Sequence, residues 1–285
     1  MGKPQRPPSF DGADNPLAFA TNARDRDVLH MVHDAIARND VMLAFQPIMQ
    51  ARGPGKVAFY EGLIRVLDAT GRVIPAREFI DVVETQELGR QIDTCALEAG
   101  LKALNQVPDL RLSINMSARS IGYPAWREAL DRGLASNASI AERLILEITE
   151  SSAMTVPDLV TVFMADLHRK GISFALDDFG AGFTSFRYLR DFYFDILKID
   201  GQFIRDVATD TDNQVLAQAL ITIGQQFDMY TVAESVETQE DADFLTACGV
   251  DCLQGYLYAA PTTTPDWSNA AMGAGRRRGK GRKRE

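Results

Sequence analysis

Short apolar or β-branched runs recur along this chain, with helical stretches between most of them, and a polar residue stands near the C-terminal end of each run. The runs are VAFYEGLIRV, LRLSINMS, RLILEITE, ISFALDDFG, DILKID, MYTVAES and DCLQGY. The polar residues are Glu61, Asn115, Glu147, the pair Asp177–Asp178, Lys198, Glu234 and Gln254. Strand alternating with helix gives a parallel sheet, and this many units give a closed barrel. The strand C-termini of such a barrel form one rim, and that rim carries the active site. Residues scattered from 61 to 254 are therefore expected to converge on one mouth.

A lone Asp or Glu at a strand end is most often a solvated loop residue or a helix cap. That explanation fails for the set, because a cap does not require Asn-x-Ser after one strand, a double Asp after another and Lys-x-Asp after a third. Five carboxylates, two amides and one lysine at one rim suit hard cations and a phosphate. Oxygen donors without His or Cys favour Mg²⁺ or Mn²⁺ over Zn²⁺. Closely grouped carboxylates repel, and without cations some must protonate. Neighbouring strand residues normally point to opposite faces. Asp177 and Asp178 share the mouth only because that constraint relaxes at a strand end.

The 285 residues suit one barrel of roughly 250 residues with little left over, and 46% hydrophobic composition is ample for its core. VMLAFQPIMQ and VAFYEGLIRV, joined by the turn ARGPGKV, read as a hairpin. The expected fold is thus a TIM-like (β/α)8 barrel with one antiparallel strand. Its boundaries are read as 25–265, after a flexible extension at 1–24 and before a disordered basic tail at 266–285. Helices are expected at 77–86, 88–106, 125–133, 157–170, 184–190, 212–227 and 238–247. The last strand is expected over 251–258. No apolar run approaches the roughly 18 residues that span a bilayer, and MGKPQRPPSF is no signal peptide, so the chain is expected to be soluble and cytoplasmic. Cys95, Cys248 and Cys252 read as unpaired thiols, and His30 and His33 as packing or surface residues. The segment RRRGKGRKRE holds seven basic residues against one acidic, so the body is more acidic than the overall charge of −9. An acidic body argues against a nucleic-acid face on the barrel, whereas the tail could contact anionic lipid or nucleic acid.

The ordered segments QPI (46–48), EGLIR (61–65), NMSAR (115–119), EITE (147–150), DDFGAGFTSF (177–186), LKID (197–200), AESVET (233–238) and QGYLY (254–258) resemble the EAL-domain cyclic di-GMP phosphodiesterases over about residues 26–261. The resemblance implies a two-cation hydrolase that opens cyclic di-GMP to linear pGpG, and a homodimer. It assigns Glu61, Asn115, Glu147 and Asp177 as metal ligands, with Asp178 and Glu234 on the second cation. Lys198 matches the lysine at the attacking water, so the catalytic set is Lys198, Glu234 and Glu61. Gln46, Arg65 and Glu237 match substrate contacts. Gln254 matches a residue that supports the site, and Glu150 one that braces the loop after the double Asp. Gly62, Val66, Ser235 and Ala260 depart from the family pattern, and none of them is a metal-ligand position. A receptor that binds the nucleotide without cutting it is the rival reading, and it has no need to keep every ligand position.

Overall fold

A computed structural model describes residues 16–53, 55–181 and 189–267. Its strands are β1 (Val41–Gln50), β2 (Val57–Leu67), β3 (Val73–Pro75), β4 (Leu112–Asn115), β5 (Leu144–Thr149), β6 (Ser173–Phe179), β7 (Ile196–Ile199), β8 (Tyr230–Ala233) and β9 (Cys252–Leu253). They form one sheet in the order β1-β9-β8-β7-β6-β5-β4-β2-β3, and pairing of β1 with β2 closes eight of them into a barrel. β1 runs antiparallel to both neighbours, and the other barrel pairs are parallel. This is a TIM-like (β/α)8 barrel with one reversed strand. The short β3 only extends β2 beyond the ring, pairing Val66 with Ile74.

Helices Glu87–Gln106, Pro124–Ser136, Pro157–His168, Thr211–Gln226 and Gln239–Ala247 fill the crossovers. Their starts are written locally. Pro124 and Pro157 sit in the first turn, where a missing N–H costs nothing. Asp210 caps two amides, and Thr238 accepts from Asp241 N. The expected helix at 184–190 falls mostly on residues 182–188, outside the described residues, as does the tail from 268 on. The stretch expected to be disordered from 266 nevertheless starts with Trp267 packed edge-on against Phe45 and Tyr60, at 5.2 and 4.3 Å between ring centres. The first helix runs Pro16–Ala37, so it begins inside the stretch expected to be a flexible extension to residue 24. The sequence PLAFATNARD opens with proline and supplies good helix formers, though its apolar spacing is weak. Among the described residues, no helix is long and apolar enough to cross a membrane.

The barrel interior has two tiers. Ile48, Phe59, Ile145, Ala175, Ile196, Val232 and Cys252 form a closed apolar cluster. Strand side chains alternate, so the residues two positions further on share the same inward face. Those residues are Glu61, Glu147, Asp177, Lys198, Glu234 and Gln254. In the reversed β1 the direction inverts, and the residue above Ile48 is Gln46. The polar rim thus stands one pleat above an apolar floor.

Candidate active site

Lys198, only 1% exposed, is the centre of the rim. Its Nζ lies 2.7 Å from Glu234 Oε1, 2.8 Å from Glu147 Oε2, 2.9 Å from Asp177 Oδ1 and 3.5 Å from Glu61 Oε2. Four strands therefore deliver a carboxylate to one ammonium. Glu61 is held at both oxygens. Asn115 Nδ2 donates to Oε1 at 2.9 Å, and Gln254 Nε2 donates to Oε2 at 2.6 Å. Gln254 Nε2 also reaches Gln46 Oε1 at 3.1 Å, and Gln46 Nε2 donates to Ala259 O at 3.0 Å. Eight rim residues therefore belong to one hydrogen-bonded and ion-paired network.

Asp178 joins this group through a backbone irregularity. The β6–β7 register shifts between Leu176 and Phe179, and Asp178 adopts φ 55°. This bulge in the left-handed region turns Asp178 toward the side that Asp177 faces. Carboxylate oxygens of Asp177, Asp178 and Glu234 then all lie within 4.8 Å of one another. Non-glycine residues held at positive φ cost about 1–3 kcal/mol, and such strain concentrates at functional sites. Glu150, 3% exposed, opens the helix Glu150–Thr155, and its Oε2 accepts from Gly180 N at 3.2 Å, just beyond the double Asp.

The charge balance of the rim is lopsided, with five carboxylates against one ammonium. Burial, then the neighbouring carboxylates against the pull of Lys198, pushes Glu147 up to about 8. Burial and Asp177 push Asp178 up to about 6, and burial holds Glu234 well above the usual carboxylate range. Burial alone would lower Lys198, but the carboxylates led by Asp177 and Glu147 outweigh it and keep it charged. Among the described residues, two buried acceptors, Glu147 Oε1 and Gln254 Oε1, have no hydrogen-bond donor, and Asp177 Oδ1 has only the Lys198 ammonium at 2.9 Å. An orphaned buried acceptor costs about 1–3 kcal/mol. Oxygen donors in excess, unspent lone pairs and surplus negative charge are what divalent cations would satisfy, so the residues present fit such ions.

A cleft of about 330 Å³ opens over this network, and Gln46, Glu61, Asp177, Lys198, Glu234 and Glu237 are on its wall. The sequence did not single out three further wall residues, Leu63, Arg205 and Tyr256. Ser235 also lines the cleft, at φ 56°. Arg65 stands beside the cleft, half-buried, with Nη1 donating to Ile64 O at 2.9 Å. Burial and then Arg77 lower its pKa below the usual guanidinium range, while Glu61 and Tyr256 oppose the shift. Val66 is fully buried, so it packs in the core and does not meet the cleft. His30 and His33 are both exposed and outside the site. A larger hollow of about 630 Å³ lies at the opposite pole against Phe59, Ile145, Ile196 and Val232, and carries none of the rim residues.

Fold and rim together define an α/β barrel with an acidic, lysine-centred mouth whose oxygen donors fit hard cations. The chain belongs to the EAL domain family, whose model matches residues 30–261. It is 30% identical over 249 residues to the bifunctional diguanylate cyclase/cyclic di-GMP phosphodiesterase MucR of Pseudomonas aeruginosa, covering 84% of this chain and 36% of that protein. It is also 30% identical over 256 residues to the cyclic di-GMP phosphodiesterase PdeB of Shewanella oneidensis, covering 88% of this chain and 30% of that one. The chain thus spans about a third of the length of these relatives. The solved MucR phosphodiesterase in complex with c-di-GMP superposes with a TM-score of 0.75 at 29% identity, over 83% of this chain and 97% of that one. The FimX EAL domain of Pseudomonas aeruginosa bound to c-di-GMP gives 0.75 at 25% identity, over the same shares.

Proposed function

We propose that this chain is a cytoplasmic, metal-dependent phosphodiesterase that hydrolyses cyclic di-GMP to linear pGpG and so lowers the level of that messenger. The observation that carries the reading is the cluster of Asp177, Asp178 and Glu234 oxygens within 4.8 Å, beside a buried lysine and unspent carboxylate oxygens. Two Mg²⁺ or Mn²⁺ ions are assigned, held by Glu61, Asn115, Glu147 and Asp177 on one side and by Asp178 and Glu234 on the other. When bound, such ions polarise the phosphate and make water acidic enough to supply hydroxide near neutral pH. Lys198, fixed between Glu147, Asp177 and Glu234, orients the attacking water and offsets charge growing on the phosphate. Water adds to phosphorus, the P–O3′ bond breaks, the 3′ oxygen takes a proton, and the 5′-phosphate of pGpG remains.

Arg65 keeps donors free for a phosphate oxygen, and Gln46 and Glu237 offer amide and carboxylate groups to the nucleotide. Gln254 and Glu150 hold Glu61 and the turn at Gly180. The barrel, read as 25–265 but extended by a helix that begins at Pro16 and by Trp267 packed on Phe45 and Tyr60, is the catalytic unit, acting as a homodimer. Incubation of the pure protein with cyclic di-GMP and Mn²⁺, followed by chromatography of the nucleotides, tests the reading. One pGpG per substrate consumed supports it, and intact cyclic di-GMP after prolonged incubation overturns it.

A further inference from the structure

The cleft wall holds a cation that the catalytic network does not use. Its cationic side chains, among the described residues, are Lys198 and Arg205. Lys198 is spent on four carboxylates and is 99% buried. Arg205 is exposed, and its guanidinium has no hydrogen-bond or ion-pair partner among the described residues. Glu61, Asp177, Glu234 and Glu237 share the wall with it, so among the described wall residues Arg205 is the cation not already paired with a carboxylate.

The local backbone makes room for it. Arg205 lies one turn after Gly201, and its N donates to Gly201 O at 3.0 Å. A Cβ built on Gly201 would stand 3.6 Å from Arg205 Nη2, so the guanidinium folds back over the bare glycine. The same Cβ would stand 2.6 Å from Ser235 Cβ and closer still to Ser235 Oγ. Ser235, at positive φ, occupies the space that a side chain at 201 would need. The two positions are therefore complementary: the missing side chain at 201 admits the serine at 235 and lets Arg205 reach the cleft.

We propose that Arg205 binds the phosphodiester that is not being cut, and that the Gly201–Ser235 pair is the packing that permits this contact. The proposal rests on the cyclic dinucleotide reading above. Such a substrate brings two phosphodiester anions into an acidic cleft. The rim's cations, Lys198 and the Arg65 donors assigned above serve one of them, and the other needs its own counter-charge. Arg205 supplies a forked donor suited to two phosphate oxygens.

The test is calorimetry of cyclic di-GMP binding in Ca²⁺, paired with steady-state kinetics in Mn²⁺. Arg205→Ala is expected to weaken binding about ten- to a hundredfold and to raise KM more than it lowers kcat, with Arg205→Lys recovering part of the affinity. Bis(p-nitrophenyl) phosphate has a single phosphodiester, so its kcat/KM should fall at least tenfold less than that of cyclic di-GMP. Gly201→Ala should weaken dinucleotide binding, and adding Ser235→Gly should restore it, because the second change reopens the space. Equal losses on both substrates, or Arg205→Ala affinity within twofold of the parent, would overturn the proposal. If the parent protein turns over cyclic di-GMP, such a result condemns the Arg205 contact alone. If the parent neither binds nor cuts it, the functional reading fails as well.

Discussion

Removing the rim's ammonium should expose how much of the fold's stability depends on that one charge. In Lys198→Met the side chain keeps its length, but Glu61, Glu147, Asp177 and Glu234 lose the group that lies 2.7–3.5 Å from each of them. Breaking a buried ion pair by deleting one partner costs about 3–5 kcal/mol, because the stranded charge stays desolvated. Here the stranded set is four carboxylates, although protonation of Glu147 and Glu234, already pushed upward by burial, caps the loss. For a barrel of this size 1 kcal/mol is about 2–4 °C, so melting in chelator at pH 8 should fall by about 6–20 °C. Divalent cations that bind only the folded rim should return about 2.7 kcal/mol at a concentration 100 times their Kd. The assay is differential scanning fluorimetry of parent and variant in EDTA and in excess Mn²⁺. A variant within 2 °C of the parent in EDTA would refute the claim that Lys198 is the electrostatic counterweight of the rim.

Three further outcomes follow from other parts of the structure. Asp93 is buried, accepting from Ser117 N at 2.9 Å and Ser120 Oγ at 2.5 Å, and burial pushes its carboxyl up to about 7. A raised folded pKa gives stability that is present below about pH 4 and lost as pH rises through 7, so Asp93→Asn should gain on the parent by ~2–4 kcal/mol between pH 5 and pH 8 in urea titrations. At Gly62 an added Cβ would stand 2.7 Å from Ile114 Cδ1 and 3.2 Å from Leu43 Cδ1, so Gly62→Ala should cost about 1–3 kcal/mol, with Ile114→Val recovering part of it in thermal melts. Arg65→Ala should weaken cyclic di-GMP binding in Ca²⁺ about tenfold or more by calorimetry, and unchanged affinity would remove Arg65 from the substrate site.

Much of this architecture was legible in the chain because strand periodicity and the polar strand ends carry the same message. The hairpin of β1 and β2, the reversed strand and the convergence of Glu61, Glu147, Asp177, Lys198 and Glu234 were all readable from local pattern. Other features depend on contacts that no short window contains. β3 is three residues long and exists only because Val66 offers Ile74 a pairing partner. The last strand stops at Leu253 instead of running to 258, because the chain turns so that Val236 N donates to Gln254 O and Leu257 N to Val236 O. Gly255 passes so close to the Val236 backbone that no side chain would fit. The helix Glu150–Thr155 was hidden inside what read as a strand end, although Thr149 accepting from Ser152 N is an ordinary cap. Asp178 required a bulge, which the sequence gives only as a doubled aspartate. Arg205 was missed because it lies seven residues past Lys198, in no strand end, and its relevance depends on Gly201 and Ser235 meeting across two strand ends.

The most direct test of the account is the rate of cyclic di-GMP hydrolysis as Mn²⁺ is titrated into chelator-stripped protein, for the parent and for Asp177→Ala. The parent should climb from background to a saturating rate with pGpG as product, and Asp177→Ala should remain slower by orders of magnitude at every concentration. Hydrolysis that persists in excess chelator, or an Asp177→Ala curve that overlays the parent's, would contradict the converging metal-dependent rim.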